Sequence, residues 1–159
     1  MDELLKLLKE NARETPENLA RMLNQSVEEI QRRIQDYEKR GVIRGYQAVV
    51  NRDALDSDLV TAVIEVKVTP EREGGFNHIA KRISKFEEVS SLYLMSGTFD
   101  LLLFVSGRDL KEVAWFVAEK LATIPGVLST ATHFMLKTYK ADGVYMDVED
   151  DVERLKVTP

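Results

Sequence analysis

The residue types that carry most enzymatic chemistry are scarce in this chain. It has 159 residues and no cysteine, which removes thiol catalysis, zinc-thiolate sites, iron–sulfur clusters and disulfide scaffolds together. Imidazole is limited to His78 and His133, too few for most metal sites. His78 sits between Asn77 and Ile79 without an adjacent carboxylate, and His133 stands beside Phe134. Both read as packing or surface side chains. Neither common spacing of a glycine-rich phosphate loop occurs, and there is no G-x-S-x-G elbow. No catalytic residue, metal ligand or cofactor is assigned. Two other sets remain. Asp100 follows Gly97 at the head of an apolar run, Leu101-Leu102-Leu103-Phe104. It reads either as a strand-end carboxylate in water or as the acceptor for a ligand's ammonium group, with Gly97 letting the backbone approach that ligand. The second set is a helix face: Glu28, Gln31, Arg32, Gln35 and Lys39 recur at helical spacing. Glutamine and arginine bond base edges bidentately, and arginine and lysine neutralise phosphates.

The charge distribution sharpens the second set. The formal net charge is −5, so nucleic-acid binding must rest on local charge. Residues 1–50 and 51–140 are each close to neutral, and most of the acidity lies in 141–159. Between 30 and 52 the sign reverses. Arg32, Arg33, Lys39, Arg40, Arg44 and Arg52 face only Asp36 and Glu38, the footprint a phosphate backbone would meet. A solvated helix face is the plainer reading of an isolated cluster of this kind. No stretch approaches ~20 consecutive apolar residues, so no membrane span is expected. The start, Met1-Asp2-Glu3, is acidic where a signal peptide is basic, and a cytoplasmic location is expected.

Three helices are predicted to position the basic face. Leu4, Leu5, Leu7 and Leu8 form an apolar stripe that fades at Asn11. Thr15-Pro16 is a helix start, with Thr as N-cap and Pro at the first helical position, and Leu19, Ala20, Met22 and Leu23 supply the buried side. Asn24 tolerates the left-handed backbone of a sharp turn. Ser26-Val27-Glu28-Glu29 is a capping box, each of Ser26 and Glu29 satisfying the other's amide. The third helix buries Val27, Ile30, Ile34 and Tyr37 and ends at Gly41. A short second helix, a turn and a capped third helix form a helix-turn-helix. Residues 41–50 are predicted as a wing or connecting strand, and 51–58 as a linker.

From residue 59 the period changes. A strand runs from Leu59 to Thr69 with Val60, Ala62, Ile64, Val66 and Val68 on one side. Gly74-Gly75 leads into a helix with Phe76, Ile79, Ala80 and Ile83. Strands Val89–Met95 and Phe99–Val105 flank a hairpin turn at Ser96-Gly97-Thr98. Asp109 caps a helix burying Leu110, Val113, Ala114, Val117 and Leu121, and a last strand covers Val127–Thr138. The predicted class is α+β: a winged helix-turn-helix domain over 1–50 joined to a ferredoxin-like βαββαβ domain over 59–140. One sheet face is left uncovered, and a second subunit is the economical cover.

Several runs together resemble a known family. They are Leu19-Ala20, Ser26, Arg32-Arg33-Ile34, Glu38 and Gly41-Val42-Ile43, then Tyr93-x-x-x-Gly97-x-x-Asp100, then Ile124-Pro125-Gly126-Val127 with Thr130-x-Thr132. Over about residues 1–140 the chain resembles the Lrp/AsnC, or feast/famine, regulators. The resemblance implies a non-enzymatic, sequence-specific regulator of transcription that binds double-stranded DNA. It implies homodimers formed by sheet-to-sheet packing, often assembled further to tetramers or octamers. It also implies a small effector, typically an amino acid, bound near the Gly97–Asp100 loop. Mapped onto this sequence, the DNA contacts are Ser26, Glu28, Gln31, Arg32, Arg33, Gln35, Lys39, Arg40 and Arg44. Gln31, Arg32 and Gln35 are expected on bases, and Arg33, Lys39, Arg40 and Arg44 on phosphate. The effector contacts are Tyr93, Ser96, Gly97, Thr98, Asp100, Thr130 and Thr132. Asp100 would take the ammonium, and the Ser96–Thr98 amides the carboxylate.

Glu28 and Glu29 depart from the resembled family, many of whose members carry small or uncharged residues there, and Asn24 replaces a usual Gly. The acidic extension 141–159, with its run from Asp147 to Glu153, falls outside the shared core. One alternative follows from the two glutamates: an effector-binding oligomeric module that has lost DNA binding. Another is a siroheme-decarboxylase-like enzyme, which shares the layout but needs histidine and arginine at a tetrapyrrole pocket. The hairpin Tyr93–Asp100 has no histidine.

Overall fold

The computed structural model describes residues 1–55, 59–70 and 75–147. The chain forms two compact units, Met1–Val50 and Asn51 onward.

The first unit holds α1 (Glu3–Glu10), α2 (Pro16–Leu23) and α3 (Val27–Lys39). Each starts at a side chain that accepts from an orphan first-turn amide: Asp2 from Leu4, Thr15 from Asn18 and Ser26 from Glu29. Asn24 ends α2 with a φ of 50°. Gly41, at φ +70°, ends α3 as its Schellman residue. Val42 N–H reaches back to the Tyr37 carbonyl at 2.8 Å and Gly41 N–H to Glu38 at 3.0 Å. Leu4, Leu8, Leu19, Ala20 and Ile30 form the buried centre, with Leu7, Leu23, Val27, Ile34, Tyr37 and Ile43 around it. Three expectations fail here. Met22 is 57% exposed, because α2 is only 8 residues long and Leu19 and Leu23 take its inner side. The capping box is one-sided: Glu29's carboxylate turns to Arg32 instead of back to Ser26. Residues 43–50 carry no strand pairing, since an extended run needs a neighbouring strand to complete its ladder.

In the second unit a turn of 3-10 helix at Arg52–Ala54 leads to β1 (Val60–Val68), α4 (Asn77–Ile83), β2 (Val89–Leu94), β3 (Leu101–Gly107), α5 (Leu110–Trp115) and β4 (Val127–Phe134). Gly74 and the 56–58 part of the expected linker lie outside the described residues. The antiparallel sheet has the order β2-β3-β1-β4, the ferredoxin-like arrangement. Ala62, Ile64, Val66, Val68, Leu101, Leu103 and Val105 pack from the sheet against Ile79, Ile83, Val113, Phe116 and Leu121. Of the expected stripe after Asp109, Val113 and Leu121 are buried and Val117 packs partly against the core, while Leu110 and Ala114 are exposed. Phe116–Leu121 is a π-helical turn, whose i, i+5 spacing lets Phe116 be buried together with Leu121. The last strand stops at Phe134, short of Thr138. Lys140–Ala141 and Val144–Tyr145 form a short hairpin, β5 and β6. Met146 is buried and its carbonyl accepts from Asn51 at 2.7 Å. The extension therefore begins inside this unit, and the acidic run beyond Asp147 lies outside the described residues.

Among the described residues, no element covers the other sheet face. Cross-strand partners share a face, which places Val63, Glu65, Leu102, Phe104, Tyr93, Ala131 and His133 there.

Candidate functional site

The solvent face of α3 carries Glu28, Gln31, Arg32, Gln35 and Lys39, all exposed. The apolar side, anchored by Ile30, holds them outward. Among the described residues, Gln31, Gln35, Lys39 and the neighbouring Arg44 form no side-chain hydrogen bond or ion pair, and their donors point to solvent.

The other cations are engaged. Arg32 donates Nε and Nη2 to the Glu29 carboxylate at 3.1 and 2.7 Å, and its side chain stays 75% exposed. The fork is thus held in one orientation on the surface. Arg40 pairs with Asp36 at 2.9 Å across one helical turn. Arg33 departs from its expected phosphate role. Its Nη2 donates to both oxygens of Asp2 at 2.7 and 2.8 Å, and Nη1 to Gln25 at 2.6 Å. It ties α3 to the start of α1. Partial burial works against ionisation of Asp2, but Arg33 and the amides of Leu4 and Leu5 together hold its carboxyl below the ordinary range. Ser26 likewise serves the helix end, as N-cap. The Asp2–Arg33 contact had no signal in the sequence. The Glu29–Arg32 pair did, as an i, i+3 spacing.

The expected effector residues do not converge within one chain. Tyr93 lies on the uncovered face of edge strand β2, edge-on to Phe104 at 6.2 Å. Thr130 and Thr132 lie on the opposite edge strand, β4, opposite Val66 and Ile64. They share the helix-covered face with those residues. Three strand spacings, roughly 14 Å, separate the two edges. Ser96, Gly97 and Thr98 form an exposed turn closed by Met95 N–H on the Asp100 carbonyl at 2.8 Å. Gly97 adopts φ +136°, and a Cβ there would meet open space. Backbone conformation, not crowding, calls for glycine within the chain.

Asp100 extends the sheet just before β3 begins. Its N–H donates to Val66 at 3.0 Å, and its Oδ2 accepts from Val68 N–H at 2.9 Å. Without that oxygen the last inward amide of β1 on this side would be orphaned. The side chain has a structural task, and its second oxygen has no hydrogen-bond partner among the described residues.

A capped three-helix unit with an amide-and-cation helix face, followed by a βαββαβ unit, defines a DNA-binding regulator with a separate ligand-binding domain. Residues 3–44 match the winged helix-turn-helix DNA-binding family, and residues 61–145 the Lrp/AsnC ligand binding domain. The chain is 44% identical over 158 residues to the HTH-type transcriptional regulator YugG of Bacillus subtilis (strain 168), covering 99% of this chain and 95% of that one. It is 32% identical over 108 residues to the leucine-responsive regulatory protein of Haemophilus influenzae, covering 68% and 64%. A transcriptional regulator of Neisseria meningitidis, crystallised as a complex with L-Met, matches with a TM-score of 0.69 at 26% identity, covering 89% and 93%. A feast or famine regulatory protein of M. tuberculosis complexed with L-methionine matches with a TM-score of 0.72 at 25% identity, covering 91% and 95%. The chain belongs to the Lrp/AsnC family of transcriptional regulators. Among its described residues no helix is long and apolar enough to cross a membrane.

Proposed function

We propose that the protein is a cytoplasmic, non-enzymatic regulator that binds duplex DNA as a homodimer through α3 and responds to an amino acid. The observation that carries this reading is the outer face of α3, where Gln31, Arg32, Gln35 and Lys39 project from a helix capped at both ends. Gln31, Arg32 and Gln35 contact base edges. Lys39 and Arg44 contact phosphate, joined by Arg40 once Asp36 releases it. Arg33 and Ser26 hold the helix in place. Two copies present two α3 helices to successive major grooves, about 34 Å apart if the half-sites lie one turn apart.

An effector between subunits suits the separation of Tyr93 from Thr130 and Thr132, since one chain does not bring them together. Asp100 offers its second oxygen to the ammonium. The Ser96–Thr98 amides take the carboxylate. The L-Met complexes of two relatives support an amino acid as the class. The sheet face that no described element covers supports a dimer, and further assembly to tetramers or octamers is where an effector between dimers would act.

Two measurements test this. A gel shift on the DNA upstream of the protein's own gene should show a retarded complex. A thermal-shift screen of the twenty amino acids should raise the melting temperature with one or a few, because a ligand specific to the folded state stabilises it as RT ln(1 + [L]/Kd). The pairing of Arg32, Arg33 and Arg40 with acids favours one other reading, an effector-binding module without DNA affinity. A ligand hit with no shift on any genomic fragment would establish that reading instead.

A further inference from the structure

Four carboxylates lie on α3, and three have partners: Glu29 holds Arg32, Asp36 holds Arg40 and Glu38 accepts from Tyr46. Glu28 forms no hydrogen bond or ion pair among the described residues, and it is exposed on the same stripe as Gln31, Arg32 and Gln35. It is the second residue of α3, and the N-terminal residues of a recognition helix are those that meet base edges. A carboxylate on that stripe repels phosphate, so its natural partner in the major groove is a donor. Cytosine N4 is a donor that a carboxylate can take, whereas the guanine edge presents only acceptors. One turn on, Arg32 presents the complementary group, a donor fork kept in place by Glu29.

We propose that Glu28 is a specificity-determining residue. Its carboxylate accepts from the exocyclic amino group of a cytosine, in the half-site where Arg32 takes guanine O6 and N7. This rests on the reading of α3 as the recognition helix. Positions four apart are about 6 Å apart along the axis, under two base steps of 3.4 Å each. The cytosine and the guanine therefore fall on the same or neighbouring base pairs. The half-site core then contains C·G pairs, and a thymine or guanine at the Glu28 position is actively rejected. Glu28 also sits in the first helical turn, where a negative charge favours the helix dipole. That effect alone would influence stability and leave base choice untouched.

The test is selection of duplexes from a random library by the full chain, with wild type, Glu28→Gln and Glu28→Ala in parallel, plus a melting temperature for each. Wild type should enrich cytosine at one position per half-site by roughly tenfold over other bases. Glu28→Gln should move that position to adenine, whose N6 and N7 suit a carboxamide, and leave the guanine position in place. Glu28→Ala should flatten the position. Identical base frequencies in all three pools, with or without a change in melting temperature, overturn the assignment. A wild-type pool without enrichment overturns the recognition-helix reading and this inference with it.

Discussion

Asp100 has two oxygens, and the roles assigned to them separate by substitution. Oδ2 is committed to Val68 N–H, a bond an asparagine oxygen reproduces without the charge. Asp100→Asn should therefore keep most of the stability and lose effector affinity by tenfold or more, as a charge-assisted bond becomes a neutral one. Asp100→Ala should lose both, with about 1–3 kcal/mol of stability gone through the orphaned amide. Calorimetric titration of the effector into both variants decides this, and wild-type affinity in Asp100→Asn would leave the residue a purely structural cap. Arg33 and Asp2 make a second case. The folded-state carboxyl of Asp2 is lowered, so its contribution is present above the ordinary carboxylate range and fades as pH falls through the folded value. Asn can still cap α1, so Asp2→Asn should melt below wild type at pH 7 by an amount worth under about 1 kcal/mol. The gap should close as pH drops from about 5 towards 3. A gap that is constant with pH would contradict the pairing. The sequence displays the stripe to which Arg33 belongs, since spacing orders side chains around a helix. It does not display which arginine an acid 31 residues away will claim, because that depends on how α1 crosses α3.

Helix ends and strand faces were the most legible elements, because caps and alternation are local. Thr15, Ser26, Asn24, Gly41 and Asp109 act where their chemistry indicates. Along α5 a constant period finds Val113 and Leu121 but not Phe116, which is buried five residues before Leu121 in a π-helical turn. The 43–50 run misled because β-rich composition marks a wish for a partner strand, not its presence. Gly126 sets the turn into β4. It has φ +92°, and a Cβ there would lie 2.7 Å from Ile79 Cδ1. Thr69 N–H also bonds its carbonyl at 2.8 Å, tying the turn to the end of β1. Gly126→Ala should cost about 1–3 kcal/mol, combining backbone strain with overpacking. Gly45→Ala, with open space around its Cβ and no positive φ, should be neutral in the same thermal melt. Equal melting temperatures for the two variants would refute the account of the turn.

For the whole molecule, the uncovered sheet face and the divided effector residues both call for a second copy. Phe104 and Leu102 lie centrally on that face. Phe104→Glu should convert the protein to monomers in analytical ultracentrifugation while its circular dichroism stays native, since the substituted side chain points away from the core. A dimer that survives the change would place the interface elsewhere. Spacing could not say that Tyr93 and Thr130, both in the expected effector set, occupy opposite edges and faces of the sheet. The DNA-binding role of α3 requires that its cations meet a phosphate backbone. The salt dependence of affinity for a bound genomic fragment, compared between wild type and a Lys39→Ala, Arg44→Ala double variant, tests it most directly. Each phosphate contact adds roughly 0.9 to the slope of log affinity against log salt. Wild type should show a steep negative slope, and removing two contacts from each protomer of a DNA-bound dimer should reduce its magnitude by about 3.6. A flat wild-type response, or the same slope in the double variant, would contradict the account.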